Sequence, residues 1–254
     1  MPVITTRGRP LGAICGAYTN VEIVMRKCLA WSGGALFVAS LVMCTWSYLF
    51  WLGRDIPLAG WRPVAFDAGL ISIFAGHHSV FARESIKRRL SFIPPSMIRS
   101  FYVWIASLLL IGVIGLWEPI GGELYRVTGA RAVVHAAVQL AGVWLISRAV
   151  AGLDPLELAG IRQLSESTAS SAALQPLQIE GPYRWVRHPL YLGWMLAVFG
   201  AAHLTGDRLA FAGLTSLYLV VAVPWEERSL GQSFGEAYDQ YARRVRWRII
   251  PYLY

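Results

Sequence analysis

Six apolar runs decide what this chain can become: Cys28 to Trp51, Phe66 to Ala82, Phe101 to Trp117, Val133 to Gly152, Leu190 to Leu204 and Leu209 to Trp225. Charged residues, glycine or proline separate each from the next. A helix needs about 20 mostly apolar residues to cross a bilayer, and within the hydrocarbon its backbone must satisfy itself. The pattern predicts an all-α, polytopic membrane bundle of about six helices. The fifth run is shorter than a full span, which predicts a tilted helix or one beginning below the hydrocarbon. Composition agrees, with 56% hydrophobic and 15% charged residues, against about 25% charged in soluble domains.

A net charge of +8 could point to nucleic acid. Here the Lys and Arg residues lie between the apolar runs, so membrane topology accounts for them, and the bilayer, with no nucleic acid, is the expected partner. The loop after the second run carries Arg83, Lys87, Arg88, Arg89 and Arg99, whereas the loops after the first and third mix Arg54, Arg62, Arg126 and Arg131 with acids. That bias predicts a bacterial inner-membrane protein with the second loop and both termini cytoplasmic. The first run is too long for the core of a signal peptide and is expected to remain as the first transmembrane helix. Cys15, Cys28 and Cys44 lack metal-ligand spacing and read as packing residues.

One membrane-embedded domain, 1–254, follows from this. It comprises a four-span bundle (28–152), a cytoplasmic loop (153–189), a helical hairpin (190–225) turning at Thr205–Arg208, and a cytoplasmic tail (226–254). Leu164–Leu177 is small and polar and reads as a loop. In the tail, Leu230, Phe234, Tyr238 and Tyr241 recur every three or four residues, which predicts an amphipathic helix along the interface. Arg243, Arg244, Arg246 and Arg248 are then expected near lipid phosphates.

The chemistry-bearing stretch is Glu180 to Trp194. Arg184, Arg187 and His188 lie within five positions, and Pro189 suits the first turn of a helix. The hairpin returns Glu226 and Glu227 to the same cytoplasmic level. Two cations, an imidazole and two carboxylates at the mouth of a bundle form either a ligand site or a salt-bridge belt that anchors the hairpin. The adjacent histidines His77 and His78 point to different helix faces and lack a spaced third ligand, so no metal is expected. His135 and His203 stand alone and read as interfacial or packing residues.

Arg187-His188-Pro189-Leu190-Tyr191-Leu192-Gly193, Glu226-Glu227 and Phe234-Gly235 with Tyr238 and Tyr241 resemble the C-terminal motif of the isoprenylcysteine carboxyl methyltransferase and phospholipid methyltransferase superfamily. Earlier stretches, among them His78-Ser79-Val80, Lys87-Arg88, Pro94-Pro95, Arg99-Ser100, Tyr102-Val103 and Leu158 to Gln163, resemble its methanethiol S-methyltransferase and NnrU-like branch. The resemblance implies a membrane enzyme that uses S-adenosylmethionine bound from the cytoplasm. It implies a cofactor pocket of Tyr183, Arg184, Arg187, His188, Pro189, Tyr191, Gly193, Glu226, Glu227 and Tyr238. Arg187, His188 and Glu227 would serve the reaction, with Arg162 either closing the substrate side or anchoring its own loop. Arginine can bind the cofactor's carboxylate, glutamate its hydroxyls and amine, and an aromatic face its adenine. Gly193 would leave room for the nucleoside or for a neighbouring helix. A small thiol, methanethiol, is the expected acceptor. The alternatives are a lipophilic one, a prenyl-cysteine carboxylate or lipid amine, or a non-enzymatic NnrU-like accessory role.

Overall fold

The computed structural model describes residues 11–81, 86, 93–152, 154–162 and 177–254, with residues 11–21 described by their backbone. The basic cluster Arg83 and Lys87 to Arg89, on which the orientation rests, and most of the Leu164–Leu177 loop lie outside the described residues. Seven helices carry the fold: α1 (Leu11–Trp46), α2 (Trp61–Phe81), α3 (Pro95–Gly115), α4 (Gly129–Val150), α5 (Pro189–Phe199), α6 (Gly206–Phe234) and α7 (Glu236–Arg244). Among the described residues, five stretches are long and apolar enough to cross a membrane: Glu22–Trp51, Trp61–Phe81, Ser96–Gly115, Gly129–Val150 and Gly206–Phe234. The protein is an integral membrane, all-α bundle.

The fifth run departs from expectation. Only Pro189–Phe199 of it is helical, and the chain then forms a short strand, β2 (His203–Thr205), antiparallel to β1 (Glu123–Arg126). The helix stops at Gly200, whose N–H is given to the Leu196 carbonyl and where a Cβ would meet that carbonyl oxygen at 2.6 Å. Thr205–Arg208 is therefore no free turn. Thr205 caps α6, its hydroxyl accepting the Arg208 N–H at 3.2 Å, which satisfies one of the donors a helix start leaves open.

The helices lie in the order α4, α5, α6, α2, α3, α1, each packed on the next. Between α4 and α5 two glycines let the backbones approach, as small residues do in membrane bundles. A Cβ on Gly193 would meet the Gly142 carbonyl oxygen at 2.8 Å, and one on Gly142 the Gly193 oxygen at 2.6 Å. Gly193 thus serves helix packing. Gly193→Ala is expected to destabilise the protein by about 1–3 kcal/mol through overpacking, read as a lower unfolding temperature in detergent. An unchanged temperature would show that α4 and α5 separate freely.

The apolar core sits at the end of the bundle away from His188. Tyr48, Leu52, Ile71, Val113, Trp117, Ile120, Val198, Phe211 and Ala212 form it. Two buried ions organise this end. Asp207 accepts hydrogen bonds from the Trp117 indole at 2.9 Å and the backbone N–H groups of Ile120 at 3.0 Å and Gly121 at 2.8 Å. Arg208 donates to the carbonyls of Tyr48 at 3.1 Å, Leu49 at 2.6 Å and His203 at 2.6 Å. α1 runs into a π-helical stretch, Ser47–Trp51, and Arg208 takes up carbonyls at that irregular end, which hydrocarbon could not solvate. His203 does not stand alone: it lies 3.1 Å from Glu123 and 3.4 Å from Asp55.

Candidate functional site

The site is built at the opposite end, where α5 begins. Gly181, with φ +61, opens a single 3-10 turn over Gly181–Arg184, and Pro189 then supplies the fixed φ of the first residue of α5,. The tail comes back to this point. The N–H of Arg187 bonds the Trp247 carbonyl at 2.9 Å, and that of His188 bonds the Arg248 carbonyl at 2.7 Å. Val186 and Ile249 are fully buried at this crossing. Gly235, with φ +54, ends α6 and lets α7 fold back. There Tyr238 and Tyr241 pack with Leu177, Ile179, Tyr183, Leu230 and Phe234. The tail's aromatics are thus spent on protein.

Glu227 is the hub. Its Oε1 accepts from Arg187 Nε at 2.7 Å and lies 3.4 Å from His188 Nε2, while its Oε2 accepts from Arg248 Nε at 3.1 Å. Arg187 also donates through Nη1 to the carbonyls of Val245 at 3.0 Å, Arg246 at 3.3 Å and Ala242 at 3.4 Å. The side chains of Arg187 and Glu227 are only 10% and 12% exposed. A buried pair of this kind needs its remaining donors satisfied, and the tail carbonyls do so. For Arg248, burial works against the charge, but Glu227 and the Tyr254 hydroxyl outweigh it and raise its pKa.

Glu226, next along the chain, is treated differently. Its Oε2 accepts from the Tyr191 hydroxyl at 2.6 Å and lies 3.6 Å from His188 Nδ1. His188 is stacked on Tyr191, ring centroids 5.2 Å apart. Buried His188 therefore stands between the two carboxylates.

The structure brings Arg187, His188, Pro189, Tyr191, Glu226, Glu227 and Tyr238 together and leaves out others expected there. Arg184 is ion-paired with Glu180 and points to the surface, because the 3-10 turn directs it away from the tail. Arg162 is ion-paired with Asp154, beside Ile161, which packs on Ala30 of α1. Tyr183 donates its hydroxyl to the Ala149 carbonyl at 3.3 Å, and its own carbonyl accepts from the Tyr241 hydroxyl at 2.9 Å, a joint between α4 and α7. Arg248, expected at lipid phosphates, is instead part of the hub. No sequence signal marked it, since the pairing of the segment after α7 with Arg187 and His188 is a tertiary event.

Tyr238 is the informative residue of the set. Its hydroxyl is buried, faces Glu227 and, among the described residues, closes no hydrogen bond. Burial and the Glu227 charge push its pKa up to about 12, so it remains a phenol able to donate. On the far side of Glu226, polar groups continue between the helices. Tyr218 lies two turns earlier on α6, 3.4 Å from the Ser79 hydroxyl, and the His78 ring meets the Tyr102 hydroxyl at 2.5 Å. His78 thus makes a polar contact inside the bundle, with α3. Among the described residues, the group able to hold a metal is Asp55, Glu123 and His203. Arg126 is ion-paired with both acids, and the group lies at the far end of α5 from His188.

The fold and the site define an integral membrane protein with a buried ionic cluster under one end of its helical bundle. The comparisons name the kind. The chain is 34% identical to methanethiol S-methyltransferase 1 of Bradyrhizobium diazoefficiens over 204 residues, 79% of this chain and 70% of that protein. It is 35% identical to the methanethiol S-methyltransferase of Crocosphaera subtropica over 191 residues, 74% of each chain. Nurim of Pan troglodytes is 30% identical over 187 residues, 66% of this chain and 68% of that one. No family model matches the chain, and no solved structure does. The chain belongs to the family of the methanethiol S-methyltransferases, the branch its motifs resemble.

Proposed function

We propose that the protein transfers a methyl group from S-adenosylmethionine to methanethiol, giving dimethyl sulfide, at a site reached from the cytoplasmic face of a bacterial inner membrane. The observation that carries this is the Glu227 hub with the unsatisfied, buried Tyr238 hydroxyl beside it. The residues fit the cofactor in kind. Arg187 and Arg248 provide positive charge for its carboxylate, Tyr238 a donor for its polar atoms, and the His188–Tyr191 stack an aromatic wall,.

When bound, the cofactor supplies a methyl carbon already activated by its sulfonium. What remains for the protein is to bind, orient and exclude water, and well-oriented intramolecular reactions show that this is worth about 7–11 kcal/mol of barrier. Glu227 locks Arg187, His188 and Arg248 in place. The tail fixes their backbone, and this reading puts the small acceptor on the side of Glu226 where Tyr218 meets Ser79, between α6 and α2. An acceptor thiol is mostly protonated at neutral pH, so a basic group beside it favours attack.

The test uses the purified protein in nanodiscs with S-adenosylmethionine and, in separate arms, methanethiol, a lipid amine and a prenyl-cysteine. Dimethyl sulfide in the headspace, formed as the cofactor is consumed, is the expected result. Cofactor consumption only in the lipophilic arms would overturn the acceptor, and none in any arm would overturn the enzyme.

A further inference from the structure

The twin carboxylates Glu226 and Glu227 are adjacent in sequence but have opposite surroundings. Glu227 is held by two guanidinium groups and an imidazole, and is 12% exposed. A carboxylate so engaged is a poor proton acceptor, because protonation would deprive the buried Arg187 and the partly exposed Arg248 of their shared anion,. Glu226 is 44% exposed, and among the described residues no arginine or lysine is paired with it. It is held at one oxygen by the Tyr191 hydroxyl, a neutral donor that orients the carboxylate without consuming its charge. It also stands on the boundary between the ionic hub and the polar interhelical face of Tyr218, Ser79, His78 and Tyr102. Within that face His78 Nδ1 is engaged by the Tyr102 hydroxyl at 2.5 Å, and the His77 ring is stacked on Tyr102.

We infer that Glu226 is the base of the reaction, oriented by Tyr191, and that it takes the proton of the acceptor thiol as sulfur attacks. This rests on the methyl-transfer reading above. The thiol S–H bond breaks with its electron pair left on sulfur, and the proton goes to a Glu226 carboxylate oxygen. A sulfur electron pair forms the new bond to the methyl carbon, and the pair of the old carbon–sulfur bond returns to the sulfonium, which becomes a neutral thioether. The products are dimethyl sulfide and S-adenosylhomocysteine. The proton then passes from the exposed side of Glu226 to water, restoring the carboxylate.

Glu226→Gln preserves an oxygen for the Tyr191 hydroxyl and removes the base. With methanethiol at pH 7 its kcat is expected to fall about 100-fold or more, the usual worth of a positioned base. With thiophenol, which is largely ionised at pH 8, the fall is expected to be within about 5-fold, and the affinity for S-adenosylhomocysteine within about 2-fold, because no proton needs to be removed. Equal losses with both thiols, or a weakened cofactor complex, would make Glu226 a cofactor ligand and overturn the proposal, and so would an unchanged rate with methanethiol. Should the variant not fold, the wild-type protein carries the same test. A solvent deuterium isotope effect is expected with methanethiol and not with thiophenol, and an equal effect with both overturns the base. Wild-type protein that binds cofactor yet is inert with both thiols would remove the methyl-transfer reading, and this proposal with it.

Discussion

Glu227→Ala is expected to abolish cofactor binding and to release the segment after α7 from the bundle. Removing this side chain leaves Arg187 and Arg248 without their shared anion. A buried pair that loses one partner typically costs about 3–5 kcal/mol, most of it from the charge left behind. Arg187 keeps its three tail carbonyls and Arg248 the Tyr254 hydroxyl, so the loss falls on the ion pairing itself and on His188, whose Nε2 faces the vanished oxygen. Calorimetric titration with S-adenosylhomocysteine should give no measurable heat, and trypsin should cut after Arg248 faster than in the wild type. Glu227→Gln, which keeps the shape but not the charge, should lie between the two. Wild-type affinity in the alanine variant would show that the hub is an anchor and not a ligand site.

Asp207→Ala should have the largest effect on stability and none on the site. The carboxylate is 3% exposed and receives the Trp117 indole and two backbone N–H groups. Each buried donor left unpaired costs about 1–3 kcal/mol. With three of them, and about 2–4 °C per kcal/mol for a chain of this size, a fall of roughly 10 °C in unfolding temperature is expected. Below that temperature, affinity for S-adenosylhomocysteine should match the wild type. A shift of a degree or less would mean that water replaces the carboxylate.

What the sequence made legible was whatever is written in consecutive residues. Run length and charge bias define the spans, and Arg187, His188, Tyr191 and Glu227 stand in a local motif whose members do converge. Adjacency groups Arg184 with Arg187 and His188, whereas a single 3-10 turn rotates it out to pair with Glu180. Gly193 allowed two readings, and the packing against Gly142 chose between them. The short β1–β2 pair and the return of Trp247 and Arg248 to Arg187 and His188 were illegible for one reason. Each joins segments about 60 residues or more apart by backbone hydrogen bonds, which carry no side-chain signature. Arginines beyond an amphipathic helix read naturally as lipid anchors until that return is seen.

The division of labour along α6 has a consequence for how such a protein can change. Asp207 and Glu227 are 20 residues apart on one helix, roughly 30 Å at 1.5 Å per residue. Sites that far apart with no shared partners contribute additively. One end of the molecule can therefore accumulate robustness while the other is rewritten for a new acceptor, and neither alteration need be compensated by the other.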